Sequence, residues 1–504
     1  MVGQNSVMSN IIPLPEKYQK SILFKKEPIF TRPLRKPNPG DKVYSLTEDQ
    51  INEIRQIRSE RIELDPGMGG VNPTKIREWV RQGINITSLD FMLTKRCNFK
   101  CTWCFASSSP LASECLLFER LEITIAQAAK IGTKLFILTG GEPLMYRDPK
   151  LGKGFFDVVD CILSTYRLVG KEVRILCFDD VALITPLIAE KLAQRGIGLC
   201  TKGDTLDGEL QDYKLQTPGA FRQMMKGYEN LWSAGYGKKN GPPIVVNSVL
   251  DHTTFEGMID LHFWAREHGM EHSIVPVHYC GNAIVDDQEA GIHSPHVKVL
   301  YDLIARIDQD YFEDGWTPWS AFPKNKTCNR NLSGLHIRAN GLVTACSESP
   351  AMDPGDPFRT DRYIFGNINE DEIADISRSS KLAGYRQEFE KGVGEYVCNP
   401  DICDLNKHDL CRGGCATRSA YSAMDYDTGL ISLSKERSRY SRFREDPLCP
   451  AWTVLAEKQG VLRPGLLDEI HERLIQTSRR VDKGKYAKRV SLYKDASRVG
   501  GPLV

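Results

Sequence analysis

Between residues 84 and 310, short dense apolar runs alternate with stretches of helical period. Ile86-Thr-Ser-Leu-Asp-Phe-Met-Leu93 alternates as a half-buried strand does, and Leu135-Phe-Ile-Leu138 is continuously apolar. Further strands are predicted at Val173–Cys177, Ile197–Cys200, Ile244–Val249 and Ser273–Val277. Helical patterns cover Glu119–Ile131 and recur near 185–195, 219–234 and 255–268. Strands alternating with helices at this spacing predict a mainly parallel sheet. Six such units are too few for a closed eight-stranded barrel, so the expected fold is α/β with a partial (β/α)6 barrel. After about 320 the rhythm stops, and Gly-, Pro- and Cys-rich segments run to about 450, where a final helix over 451–477 is predicted. Upstream, 1–45 reads as a Pro- and Lys-rich arm on the surface or partly disordered, and 46–82 as helical. The expected division is an N-terminal arm and helical extension over 1–83, the barrel over 84–315, a Cys-rich domain over 316–455, and a C-terminal helix with a basic tail over 456–504.

Composition narrows this picture. With 41% hydrophobic and 26% charged residues and a formal net charge of +1, the 504-residue chain is unlike a long disordered segment. The near-neutral balance gives no global attraction to nucleic acid or anionic lipid, so neither is an expected partner. No apolar run reaches the roughly 20 residues needed to span a bilayer. The start, Met1-Val-Gly-Gln-Asn-Ser, lacks a secretory pattern, which points to the cytoplasm. There, thiols stay reduced, and clustered cysteines bind metal more often than they form disulfides. The charge is uneven: residues 473–498 hold nine Lys/Arg against two Asp, a tail of +7 that leaves −6 for the remainder. Such a tail suits an anionic partner or a solvated terminus.

Chemistry concentrates in the cysteines. Cys97-Asn-Phe-Lys-Cys101-Thr-Trp-Cys104 places three thiols within eight residues, directly after the first strand. Loops at the C-terminal ends of parallel strands are where active sites form. Thiolates are soft ligands for zinc or iron–sulfur clusters, and three would leave one iron of a four-iron cluster open. A zinc site completed elsewhere and buried unliganded cysteines are the plainer alternatives. The second strand ends in Thr139-Gly140-Gly141-Glu142-Pro143, where paired glycines permit close approach and Glu142 offers a carboxylate.

Together, CxxxCxxC after the first strand and Gly-Gly-Glu-Pro after the second resemble the radical S-adenosylmethionine (radical SAM) superfamily, over roughly residues 84–310. The resemblance implies that Cys97, Cys101 and Cys104 hold a 4Fe–4S cluster whose open iron binds the amino and carboxylate groups of SAM. It implies that Gly140, Gly141, Glu142 and Pro143 contact SAM, that Phe99 or Trp103 shields the cluster or touches adenine, and that Asn247 and Ser248 contact ribose or carboxylate. Reductive cleavage of SAM would give a 5′-deoxyadenosyl radical that removes a hydrogen atom from substrate, with the protein supplying geometry and excluding water. Phe178-Asp179-Asp180 departs from the Thr-Asn-Gly of many relatives, so no role carries over there.

Seven further cysteines follow the barrel. Cys328 and Cys346 flank a predicted hairpin with Asn340-Gly341 at its turn, and Cys398, Cys403, Cys411, Cys415 and Cys449 follow. Their order resembles the SPASM extension of one radical SAM branch, with the middle spacing stretched to CX4CX7CX3C. The resemblance implies one or two auxiliary 4Fe–4S clusters. Cys398, Cys403, Cys411 and Cys449 would hold the distal one, and Cys328, Cys346 and Cys415 the proximal one. No cysteine lies in 320–327, where relatives with a fully ligated proximal cluster carry one. An open iron, a non-cysteine ligand or the remote Cys280 are the options left. Cys161, Cys177 and Cys200 read as packed small hydrophobes. His278 lies near the predicted mouth, packed or touching substrate.

The implied activity is a SPASM-type radical SAM oxidoreductase served by a flavodoxin- or ferredoxin-type reductant. The expected substrate is a peptide undergoing oxidation, crosslinking or epimerisation. A dehydrogenase or epimerase acting on a sugar or other small intermediate is the second reading, because 1–83 shows no strand triplet suited to a leader-binding domain. A non-catalytic iron–sulfur carrier or zinc scaffold is the reading from another class. No catalytic acid or base is visible.

Overall fold

The computed structural model describes residues 12–19, 28–38, 41–43, 45–49, 51–52, 81–82, 84–278, 280–285, 292–313, 333–349, 363–390, 398–408, 415, 422–424, 426–427, 431–433 and 448–483. The expected helical stretch over 46–82 lies mostly, and the tail beyond 483 wholly, outside the described residues, whereas each expected strand and helix of the barrel lies among them. Six parallel strands form in chain order: β1 (Ser88–Met92), β2 (Leu135–Thr139), β3 (Arg174–Asp179), β4 (Gly198–Lys202), β5 (Ile244–Leu250) and β6 (Glu271–Pro276). β1 and β2 are buried along their whole length, because helices cover one face and the barrel interior the other. The fold is therefore the expected mixed α/β partial barrel, with an unclosed parallel sheet.

Helices bind this sheet through apolar stripes. Phe118–Ile131 buries Phe118, Leu121, Ile125, Ala128 and Ala129, and ends at Gly132 in the left-handed conformation (φ 87°). Pro186–Gln194 begins with Thr185 capping Ile188 N, followed by proline at its first position. Among the described residues, the helices Phe155–Leu168, Gly208–Leu215, Ser294–Phe312, Ile373–Arg378 and Ser380–Glu390 went unread in the sequence. The single helix expected over 451–477 is two, Ala451–Lys458 and Leu466–Thr477, because Gly460, Pro464 and Gly465 interrupt it.

The predicted hairpin exists as β7 (Gly334–Ile337) and β8 (Leu342–Thr344), with Gly341 at φ 89° in its turn. It does not stand apart. β7 pairs in parallel with the free edge of β1, Asp90 opposite His336, and β9 (Ile364–Asn367) adds beyond β8. The result is one nine-stranded sheet ordered β6-β5-β4-β3-β2-β1-β7-β8-β9. Buried polar groups join the seam: Thr87 Oγ1 and Ser333 Oγ lie 2.7 Å apart, and Asp90 accepts from Thr139 Oγ1 (2.9 Å) with His336 Nδ1 3.1 Å from its other oxygen.

Two main cores result. The first lies between the sheet and its helices, and includes Leu335, Ile337 and Val343 of the hairpin. In the second, Ile29, Phe30, Leu34, Val43 and Ile51 from the N-terminal part pack with Ser294–Phe312 and the two C-terminal helices. The described part of the arm is thus anchored: Thr31 N donates to Val461 O, Leu34 N to Tyr426 O and Val43 N to Ile402 O. The start of the basic tail is anchored too, with Arg473 2.6 Å from Glu256 and Arg480 paired with Glu267.

Candidate active site

Parallel strands deliver their C-terminal ends to one edge, and the candidate residues collect there. After β1 the chain turns into the Cys97–Cys104 loop, which three neighbours hold. Cys97 N donates to Ser109 O, Lys100 N to Leu215 O, and Thr102 N to Lys214 O. From the far end of the sheet, Asn282 donates through its backbone to Cys104 O and through its side chain to Cys101 O, both at 2.9 Å. Gly281 (φ 59°) makes this possible, since a Cβ there would lie 2.2 Å from Cys104 O. Two thiols accept backbone N–H bonds at 3.4 Å, Cys97 from Phe99 and Cys104 from Ser108. Burial first, then the negative charges of Asp180 and Cys101, push the Cys97 thiol up; burial and Cys104 do the same to Cys101. Such thiols stay protonated until a metal displaces the proton.

The Gly140-Gly141 pair packs backbone to backbone on this loop's entry. Gly141 N donates to Thr94 O (2.6 Å) and Glu142 N to Arg96 O (2.8 Å). A Cβ on Gly141 would stand 2.2 Å from Arg96 O, so the glycines are needed for this approach as well as for any ligand. Glu142 is fully buried. Its Oε1 accepts from Leu144 N (2.9 Å), which starts a short turn at Pro143, and its Oε2 accepts from Asp180 N (3.0 Å). The aspartates set aside in the sequence therefore join it: Glu142, Asp179 and Asp180 bring carboxylate oxygens within 4.8 Å of one another. Asn98 of the cysteine loop reaches Asp180 at 3.4 Å. Burial pushes Asp179 up to about 6, and burial with the neighbouring Asp179 charge pushes Asp180 up to about 7. Glu142 is raised by the same two causes.

Other expected residues separate. Trp103 is half-buried beside the thiols with Lys202 Nζ 3.1 Å from its ring centroid, a cation–π contact. Phe99 lies 2% exposed in the first core. Asn247 and Ser248 fall on opposite faces of β5. Asn247 is half-exposed, whereas Ser248 is buried, bonded to Gly203 O and to His272 Nε2, which lies on the helix side against His262. Lys214 was not foreseen. Its side chain, 2% exposed, pairs with Asp251 just past β5, and the carbonyl of the same residue holds Thr102. Burial alone would raise Asp251, but Lys214 holds it down to about 2.

The second group of thiols lies partly against the first. Cys346, Cys415, Glu348, His278 and buried Cys280 converge past β6, and Cys104 belongs to the same electrostatic neighbourhood. Cys398, Cys403 and Cys449 are buried in the second core. Cys328 and Cys411 lie outside the described residues.

Residues 91–281 match the family model of the radical SAM superfamily, and 328–415 match that of SPASM, an iron–sulfur cluster-binding domain. The chain belongs to the SPASM branch of the radical SAM superfamily. Its cofactors are accordingly SAM with a 4Fe–4S cluster and auxiliary iron–sulfur clusters. Among curated relatives, it is 22% identical to a GTP 3′,8-cyclase of Shewanella denitrificans, over 50% of this chain and 67% of that protein. It is 28% identical to an AdoMet-dependent heme synthase of Methanosarcina barkeri, over 35% and 46%. The chain spans about half to two thirds of the length of these relatives. Among solved structures, anSMEcpe with bound AdoMet superposes with a TM-score of 0.52 at 12% identity, over 76% of this chain and 99% of that one. SuiB of Streptococcus suis does so at 0.50 and 15% identity, over 80% and 89%.

The residues present fit these cofactors. Three thiols in one tethered loop are a soft donor set, and Trp103 Nε1 beside them is buried with no hydrogen-bond acceptor among the described residues. Among the described residues, no helix is long and apolar enough to cross a membrane.

Proposed function

We propose that this radical SAM/SPASM enzyme is an oxidoreductase that removes a hydrogen atom from a peptide and passes an electron from the resulting radical to an auxiliary cluster. Cys97, Cys101 and Cys104 hold the first cluster in this reading, with Gly140–Pro143 and Asn247 lining SAM and Trp103 covering the thiols. When bound, the cluster and SAM supply the one-electron chemistry that generates the abstracting radical. The chain's own residues hold the loop rigid, keep water out through the buried Phe99 layer, and fix the second thiol group beside the first. The observation that carries the reading is that adjacency: Asn282 donates to Cys104 O and Cys101 O at 2.9 Å, and His278, four residues earlier, lies 3.8 Å from Cys415 Sγ, so the two thiol groups meet past the end of β6. A peptide substrate is supported by the likeness to anSMEcpe with bound AdoMet and Cp18Cys peptide, at TM-score 0.50 and 13% identity. The second reading, a sugar or other small molecule, is favoured by the N-terminal part, where residues among those described pack into the second core and form no strand of their own. A flavodoxin- or ferredoxin-type protein delivers the electrons, and the cytoplasm is the compartment.

Anaerobic reconstitution and turnover with deuterated candidate substrates test both readings. Deuterium in 5′-deoxyadenosine from a peptide, with loss of two hydrogens from that peptide by mass spectrometry, is the expected result. Transfer from a small molecule and none from any peptide selects the second reading. SAM that stays intact under strong reductant overturns both.

A further inference from the structure

We propose that His278 is a protein ligand of the proximal auxiliary cluster, joining Cys346 and Cys415. The proposal rests on the reading that gives this cluster three cysteines, which leaves a four-iron cluster one donor short. His278 stands just past β6, at the edge where the hairpin delivers Cys346 and Glu348. Its Nε2 lies 3.8 Å from Cys415 Sγ, and its Nδ1 is bonded to the Glu348 carboxylate. Together the three side chains bring a nitrogen, an oxygen and a sulfur within 4.8 Å of one another. The His278 side chain is 10% exposed and that of Glu348 23%, so the pair is shielded from bulk water.

This is the arrangement of a metal-binding histidine: one ring nitrogen donates N–H to a carboxylate, which fixes the tautomer and leaves the other lone pair free for the metal. Here Nδ1–H goes to Glu348, and Nε2 offers its lone pair on the side where Cys415 enters. Forming an Fe–N bond releases no proton, since Nε2 carries none in that tautomer. Cys280 is the rival donor, being buried in the same place. Its backbone N–H donates to His278 O, and its thiol, pushed up chiefly by burial, feels Glu348, Cys346 and Cys415 before Cys104. Only the histidine has its second nitrogen oriented by a carboxylate. An imidazole in place of a thiolate makes the cluster one charge less negative, so it accepts an electron more readily, as histidine ligation does in Rieske centres. That suits a cluster placed to oxidise a substrate radical.

The test uses the full chain with Cys97, Cys101 and Cys104 all changed to Ala, so that only auxiliary clusters contribute. Reconstituted protein should hold about eight irons, four per cluster. Pulsed EPR of the dithionite-reduced protein, with natural or 15N-labelled histidine, should show a directly bound nitrogen whose coupling changes with the isotope. That coupling should vanish in His278→Ala and His278→Cys and persist in Cys280→Ala. His278→Cys should keep its irons and lower the midpoint potential, which separates loss of the ligand from loss of the cluster. With eight irons present, a missing isotope effect overturns the proposal, as does coupling that survives His278→Ala, coupling lost in Cys280→Ala, or an unchanged potential in His278→Cys. If Cys346→Ala and Cys415→Ala leave the iron count at about eight, the underlying cysteine assignment fails, whatever the histidine does.

Discussion

The two cysteine regions solve the same problem of gathering soft ligands in opposite ways. The first takes three thiols from eight consecutive residues and hangs them on a finished scaffold, the ends of β1, β6 and helix Gly208–Leu215. The second draws thiols from a hairpin, from 398–403, from 415 and from 449, and splits them between the sheet edge and the second core. Closing a short loop costs little entropy, and each added stretch of chain raises the cost slowly. The first region is therefore preorganised by the barrel. The second depends on many long-range contacts and gains the most from the clusters it holds.

Removing one thiol from each region should separate them most sharply. Cys97→Ala should cost about four irons and bring reductive SAM cleavage to background. Cys449→Ala should also cost about four irons yet leave SAM cleavage measurable. Equal loss of cleavage in both, assayed as 5′-deoxyadenosine, would break the distinction.

Next in size is the support beneath the first loop. Lys214→Met strands the buried Asp251 carboxylate and should destabilise the protein by about 3 kcal/mol, read by denaturant titration. The counterpart in the second region is Lys42 with Asp404, 3.0 Å apart, where the lysine side chain is 42% exposed. Lys42→Met should cost under about 1 kcal/mol. Comparable losses would mean that burying the ion pair beneath the first loop makes no difference.

Gly141→Ala should act between these two, at about 1–3 kcal/mol, by driving a Cβ into the Arg96 carbonyl and pushing the cysteine loop off β2. Iron retained by the first region should fall while auxiliary iron stays constant.

A further effect concerns pH. Asp179 and Asp180 have folded-state values raised to about 6 and about 7, so folding favours their protonated forms. Their stabilising contribution is complete below the ordinary carboxylate value, about 4, and is lost as pH rises through 6–7. The melting temperature of the metal-free protein should therefore decline between about pH 4 and pH 8. Asp180→Asn should make that decline shallower; an unchanged slope would show that these carboxylates do not titrate there.

Legibility in the sequence followed the same divide. The six barrel strands and the Cys97 loop could be read because doubly covered strands are apolar runs and the ligands are local. The hairpin turn at Asn340-Gly341 was equally plain. What could not be read was where the hairpin docks, since pairing of β7 with β1 leaves no local trace. Lys214 and Asp251 are 37 residues apart, and His278 and Glu348 are 70 apart, so neither pair has a spacing signal. Ser248 looked like a ligand because it ends a strand, but alternation along β5 turns it to the helix side. The Asp179-Asp180 pair was passed over as a departure from the family pattern, although its position after β3 placed it beside Glu142.

The seam between β1 and β7 also bears on how the chain is made. Thr87 and Ser333, bonded across it, are 246 residues apart. At about 5–20 residues per second, a ribosome needs roughly 12–50 s to synthesise that interval. For that time the first strand of the barrel has an apolar, unpaired edge, the kind of surface on which chains aggregate. Slow synthesis, or a truncation before residue 333, should therefore lower soluble yield even with every residue of the SAM-binding half present.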